Sequence, residues 1–324
     1  MKEKIYAPVI IPTLCRYEHF KRCIESLSRC TDAEKTELYI GLDYPTKDSH
    51  WEGYKQISEY VDSISGFKHV VVVRHPHNLG PFGNANAVRE LVKKKYDRYI
   101  CSEDDEEFSP NYLQYMNECL TKYKGNESVF AICGYNVPMC DYNERLGDYG
   151  NNAFPIHGYN AHASALWFDK TPSVVTKDQI LKSFRLALKA IWNNHAIAVR
   201  NAITIRDKES QLPDIGRELY CVFNDKYCIF PRVSKVRNWG FDGSGVNCET
   251  ISNWERMEID TDQSFELDHF DIKDYPEIRK LEKQVYGFSK WYMNLYMTID
   301  YIYFRLRGHR LIESQIVKKL RKKQ

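Results

Sequence analysis

The chain has 324 residues, 43% hydrophobic and 28% charged, which is enough apolar material for a sizeable core and no more charge than an ordinary soluble protein carries. Its formal charge of +2 is uneven: from Arg305 onward eight Lys or Arg stand against one Glu, so the rest of the chain sums to −5. A mildly acidic body with a basic tail argues against a nucleic-acid-coating protein, whose positive charge would spread over its folded face.

In chain order, residues 7–13 (Ala-Pro-Val-Ile-Ile-Pro-Thr) read as a buried parallel strand, rich in β-branched residues and closed by Pro-Thr. Phe20, Cys23, Ile24 and Leu27 then recur at helical spacing. Residues 38–42 give a second strand that ends at Asp43, and residues 70–73 a third. Residues 84–94 read as a helix with Ala87, Val88, Leu91 and Val92 inward. Residues 99–101 form a fourth strand, and five consecutive acids follow it, Glu103-Asp-Asp-Glu-Glu107. Ser109 and Pro110 suit the cap and first position of a helix that carries Leu113, Met116 and Leu120, and residues 129–133 are a fifth strand.

Beyond residue 135 the pattern loosens. Residues 141–157 read as a Gly-, Asn- and Tyr-rich flap, and Thr176 with Gln179 has the spacing of a capping box. The helix it starts would turn Ile180, Leu181, Phe184, Leu188 and Ile191 inward. Residues 206–216 are polar, a helix spans residues 215–223 with Asp214 at its start, residues 227–233 are a strand, and residues 237–248 form a Gly-rich loop. The expected organisation is one domain over residues 1–274, divided near residue 135 into two halves, with a helical basic extension over residues 275–324. Repeated β-α units imply an α/β fold with a mostly parallel, Rossmann-like sheet and helices on both faces.

Ten Cys show no zinc-like or redox spacing, no apolar run nears the ~20 residues that span a bilayer, and residues 1–6 are too charged for a signal peptide. A cytoplasmic protein with reduced thiols is the expectation.

Ligands of such sheets bind beyond the carboxyl ends of the strands, here Thr13 to Arg16, Asp43, Asn78 to Asn86 and Glu103 to Asp105. An acidic turn can simply cap the next helix through its dipole. At this edge, however, mutual carboxylate repulsion calls for a cation, and Mg²⁺ or Mn²⁺ suits one or two carboxylates plus a substrate's phosphates.

With those segments in hand, the chain resembles GT-A glycosyltransferases of the family-2 type. Pro8-Val-Ile-Ile-Pro-Thr-Leu-Cys-Arg16 is similar to that family's opening strand, Asp43 to its base-reading acid, and Asn78-Leu-Gly-Pro-Phe-Gly-Asn-Ala-Asn86 to its Asn-rich turn beside the nucleotide. Glu103-Asp104-Asp105 resembles its Asp-x-Asp motif, more closely the Glu-Asp-Asp variant of the N-acetylglucosaminyltransferase I type. Residues 231–248 resemble bacterial surface-polysaccharide transferases, with Asn247 where those often have His.

The resemblance implies a nucleotide-diphosphate sugar donor, a UDP-sugar as first choice, and a glycan or lipid-linked acceptor. It implies Mn²⁺ or Mg²⁺ held by Asp105, with Glu103 and Asp104 toward the ribose and donor sugar. Thr13, Arg16, Asp43, Asn78 and Asn86 would line the nucleotide. His269 is a fallback metal ligand. An inverting transferase needs a base on the acceptor side, for which Asp214 is the candidate, with Asp207, Glu209, Glu218 and Asp242 as alternatives. Trp167 is a candidate groove wall, and the basic tail a peripheral membrane contact. The competing readings are a sugar nucleotidylyltransferase, against which the absence of Gly in residues 12–16 counts, and a non-catalytic carbohydrate-binding protein on the same fold.

Overall fold

The computed structural model describes residues 5–136, 152–170, 181–204, 213–243, 258–268, 280 and 291–313. In chain order its strands are β1 (Val9–Thr13), β2 (Glu37–Leu42), β3 (His69–Arg74), β4 (Arg98–Cys101), β5 (Glu106–Phe108), β6 (Val129–Cys133), β7 (Ala153–Ile156), β8 (Ser164–Trp167), β9 (Tyr227–Pro231) and β10 (Val236–Asn238). The helices are α1 (Tyr17–Ser28), α2 (Trp51–Tyr60), α3 (Gly80–Lys93), α4 (Tyr112–Lys122), α5 (Phe184–Ala190), α6 (Ala196–Thr204), α7 (Pro213–Phe223) and α8 (Trp291–Arg307), with a π turn, Ile191–His195, between α5 and α6.

Eight strands make one sheet in the order β3-β2-β1-β4-β8-β6-β9-β7. The β3-β2-β1-β4 side is parallel throughout, as its nearly unbroken apolar strands require. Two antiparallel strands enter the other side, β8 between β4 and β6, and β7 on the edge against β9. The chain runs outward from β1 to β2 and β3, then returns to place β4 on β1's other flank. The order therefore reverses between β1 and β4, the switch point at which open α/β sheets bind ligands.

Strand alternation divides the core. Val9, Ile11 and Ile100 face α1, α2 and α4, meeting Phe20, Cys23, Ile57, Leu113 and Met116. Ile10, Tyr99 and Cys101 point to the opposite face, where α3 brings Val88 and Val92 and α7 brings Cys221. A separate helical cluster joins Ala187, Ile191, Val199 and Leu219 to Met297 and Tyr301 of α8. Each aliphatic side chain so buried contributes roughly 1.5–3 kcal/mol. A buried Asp300–Arg310 pair at 2.8 Å further ties α8 to the turn behind it.

Several expectations are corrected. The acids after β4 do not lead straight into a helix: Glu106–Phe108 is strand β5, paired antiparallel with β10. Ser109 N donates to Lys235 O at 2.9 Å, which keeps the chain extended, so α4 starts at Tyr112 with Asn111 as its cap residue. On α3 the sheet-facing stripe is Asn84, Val88 and Val92, a strict i, i+4, i+8 row, whereas Ala87 and Leu91 are exposed. Phe184 is 46% exposed, because the helix restarts at Ser183, whose Oγ accepts from Leu186 N. Other elements that escaped the sequence reading are the helices α2 and α6 and the strands β7, β8 and β10. Part of the presumed flap, residues 153–156, is edge strand; its residues 141–151, the Thr176/Gln179 cap, Asp207, Glu209, Asn247 and His269 lie outside the described residues.

Candidate active site

Arg16 sits at the cap position of α1, three residues beyond the end of β1, so its guanidinium reaches the acids beyond β4 next door. It contacts Asp104 Oδ1 and, through the other amino group, Asp105 Oδ2 at 2.8 Å. Thr13 Oγ1 donates to Asp104 Oδ2 at 2.8 Å. Burial pushes the Asp104 carboxyl up, against the pull of Arg16, and neighbouring Asp105 adds to the push. Thr13, Arg16, Asp104 and Asp105 thus form one cluster at the switch point.

Asp105 is held from the second half of the chain as well. Its Oδ1 accepts from Asn238 Nδ2 at 3.1 Å, and its backbone carbonyl accepts from Trp239 N at 2.9 Å. Gly240 lets this loop approach: a Cβ there would stand 2.1 Å from Asp105 Oδ2. The β5–β10 ribbon sets this geometry, pairing Asn238 with Glu106.

Glu106 is fully buried. Its Oε1 lies 2.7 Å from His162 Nδ1 and 2.9 Å from Asn238 Nδ2, while its Oε2 has no partner. Burial works against a charge on His162, but Glu106, then Glu103 and Asp105, outweigh it and push the imidazole up to about 10. Glu103 lies 3.8 Å from His162 and keeps half of its side-chain surface open. Its recessed setting pushes its carboxyl up, opposed by His162, and the open half lets water temper the effect.

Asp43 and Asn78 make a second group. Asp43 Oδ1 accepts from the backbone of Tyr44 at 2.9 Å and Leu79 at 2.8 Å, and Oδ2 accepts from Asn78 at 3.1 Å. The structure does not bring Asn86 to them; it is exposed on α3. Its neighbour Asn84 is buried instead, donating to Gly41 O at 2.8 Å and pairing with His75 at 3.0 Å. Gly41 is what admits it, since a Cβ there would meet Asn84 Oδ1 at 2.0 Å.

Asp214, in the first turn of α7, keeps an open surface, yet the protein around it withdraws enough water to raise its carboxyl, with Arg217 and His162 opposing and Glu218 adding to the rise. Its charge is felt in turn at Glu103. Glu218 is engaged with His195 at 2.7 Å and so is a poorer base. Asp242 lies 3.1 Å from His19. Trp167 is 1% exposed within β8, with Lys170 over its ring at 4.3 Å, so it is core rather than groove wall.

The donor set suits a hard divalent ion. Asp105 spends one lone pair per oxygen on its two hydrogen bonds and keeps capacity on both. Glu103, Glu106 and His162 also bring ligand atoms within 4.8 Å of one another. There His162 Nδ1 is committed to Glu106, so a ligand role would first cost the imidazole its proton. The unpartnered Glu106 oxygen marks a local shortage of positive charge.

A sheet with this switch point and an acidic segment at its edge defines an α/β fold of the GT-A kind. Residues 9–164, from β1 to the start of β8, match the family model described as glycosyl transferase family 2, so over that segment the chain is similar to those enzymes. No curated protein sequence matches it significantly. Among solved structures it is similar to S. aureus TarS, at 16% identity and TM-score 0.30, over 41% of this chain and 22% of that one. It is also similar to the mannosyltransferase PcManGT from Pyrobaculum calidifontis in complex with GDP-Man and Mn²⁺, at 13% identity and TM-score 0.39, over 68% and 70% of the two chains. The chain spans about a fifth of TarS, and at these scores neither likeness adds to the family match.

Proposed function

We propose that this protein transfers a sugar from a nucleoside-diphosphate sugar to a hydroxyl of a glycan or lipid-linked acceptor, with inversion and with a divalent metal. Asp105 would hold that metal, with Glu103 on the open side of the cluster and Asp104 toward the donor. When bound, the ion offsets charge that builds on the departing diphosphate. Arg16 adds a fixed positive charge beside it and orients both Asp side chains. Asp43 and Asn78 shape the turn that would receive the base and ribose, with Thr13 behind and Asn86 at the exposed rim. Residues 1–135 form the donor half of this reading and residues 136–274 the acceptor half.

The single observation that carries the proposal is the convergence of Arg16, Asp104 and Asp105 at the β1/β4 switch point; Asp214 of α7 is near enough for its charge to act on Glu103 of the same acidic segment. A carboxyl raised by its surroundings is a better proton acceptor for a sugar hydroxyl, and that supports Asp214 as the general base. No described helix is long and apolar enough to cross a membrane. The exposed Trp291, Tyr292, Leu295, Ile299 and Leu306 of α8, followed by the basic tail, support a peripheral contact with the cytoplasmic membrane face and a role in surface-polysaccharide synthesis.

The test is donor turnover with UDP-, GDP- and CDP-sugars plus Mn²⁺. Wild type should hydrolyse one class slowly, and Asp214→Asn should lower the rate by about 10²–10⁴ with nucleotide affinity unchanged. Equal rates in the variant would remove Asp214 from the chemistry. No turnover of any donor would favour the binding-protein reading.

A further inference from the structure

Arg217 lies one turn after Asp214 on α7, so the two side chains share a face. One of its amino groups donates to Tyr159 Oη at 2.6 Å, and that hydroxyl is 2.6 Å from Ser164 Oγ, so the network it joins is neutral. The guanidinium lies 5.0 Å from the Tyr159 ring centroid, and its Nε is shut off from water without a partner. Among the described residues no carboxylate comes within ion-pair distance of it. A guanidinium does not shed its proton, so this is a recessed permanent charge with unused donors.

A second arginine attends the same place. Arg89 of α3 and Arg217 both act on the Tyr99 hydroxyl and the Cys101 thiol, opposing the effect of burial on each. Arg89 likewise has no carboxylate partner among the described residues; it stands beside the Tyr99 hydroxyl, which is buried and otherwise without a hydrogen bond. Tyr99 and Cys101 belong to the α3 face of the sheet, whereas Arg16 approaches the acidic segment from the α1 face. The two arginines are therefore separate from the cation that attends Asp104 and Asp105. Planar guanidinium groups with free N–H donors match carboxylate and phosphate oxygens, often two bonds at a time.

We propose that Arg217, with Arg89, forms an anion subsite beside Asp214 that takes a carboxylate or phosphate carried by the sugar being transferred or by the acceptor. This rests on the transferase reading, and it narrows the substrate to an acidic saccharide or a phosphate-bearing acceptor. Tyr159, between β7 and β8, and Ser164, at the start of β8, position Arg217; Asp214, on the same helix face, would then lie next to the hydroxyl that the anion anchors.

The test is titration with glucuronate, glycerol phosphate and glucose, followed by ligand-observed NMR, for wild type, Arg217→Gln, Arg217→Lys, Arg89→Gln and Tyr159→Phe. Wild type should bind at least one of the two anions about tenfold more tightly than glucose, the size expected of a charge-assisted hydrogen bond. Arg217→Gln and Arg89→Gln should lose that preference, and Arg217→Lys should keep part of it. Tyr159→Phe should lower thermal stability while retaining the preference, which a purely structural Arg217 would not predict. If UDP-glucuronate displaces bound glucuronate and UDP does not, the subsite takes the donor's sugar; anion binding alongside a bound nucleotide sugar assigns it to the acceptor. Equal affinity for anions and glucose in wild type, or an unchanged preference in both Gln variants, would overturn the subsite. A parallel nucleotide titration tests the transferase reading separately, because its failure would leave the anion result standing.

Discussion

The two sides of the site differ in how their charges are partnered. At the β1/β4 switch point Thr13, Arg16, Asp104, Asp105 and Asn238 hold one another in place, and Asp43 accepts from the backbone of Tyr44 and from Asn78 and Leu79. On α7, Asp214 and Arg217 share a helix face and, among the described residues, have between them one side-chain hydrogen bond, to a neutral hydroxyl. A site that binds the same donor in every cycle gains from rigid preorganisation. Charges left open cost stability, and they persist where a ligand is to supply the missing partner.

The largest expected effect that would sharpen this contrast is on stability. Arg16→Ala leaves Asp104 and Asp105 side by side without their cation and should destabilise the fold by roughly 3–5 kcal/mol, with Mn²⁺ restoring part of it in thermal unfolding. If Arg16→Ala proved as stable as wild type, the cluster would not be the mutually supporting unit described. Next comes Gly240→Ala, whose Cβ would stand 2.1 Å from Asp105 Oδ2. It should cost about 1–3 kcal/mol in chemical denaturation and weaken metal-dependent nucleotide binding at the same time. Asp214→Asn, by contrast, should change stability by less than about 0.5 kcal/mol, because no hydrogen-bond or ion-pair partner among the described residues is lost. A large loss there would show that α7 is tied down after all.

The smallest effect lies away from the site. Asp97 is held down to about 2 by its bond to Arg98, aided by Lys124. Because its folded pKa is below the ordinary 3.8, its contribution is present above about pH 4 and fades as pH falls through 2. With 41% of the side chain open, that contribution should stay under about 1 kcal/mol, so Asp97→Asn should match wild type at pH 2 and fall slightly behind at pH 7.

The parallel half of the sheet was legible because buried parallel strands are written as continuous Val and Ile runs, and the site residues Thr13, Arg16, Asp43 and Asp105 follow them directly. Strands β7 and β8 were not, because Ala153–Ile156 and Ser164–Trp167 are four residues long and take their pairing from β9, β4 and β6 rather than from local pattern. Glu106 and His162 are 56 positions apart, and Asp105 and Asn238 are 133 apart, so no spacing rule joins them. Asn84 did leave a signal, since it stands four residues before Val88 on the sheet-facing row of α3. The motif points to Asn86 and the helical period to Asn84, and it is Asn84 that the structure buries against the sheet.

The most direct test of the account is calorimetric titration with UDP, GDP and CDP, with and without Mn²⁺, for wild type and Asp105→Ala. The account predicts that one nucleotide binds wild type in a metal-dependent manner and that Asp105→Ala abolishes this binding. Binding that is equally tight in the variant, or no binding of any of the three, would contradict it.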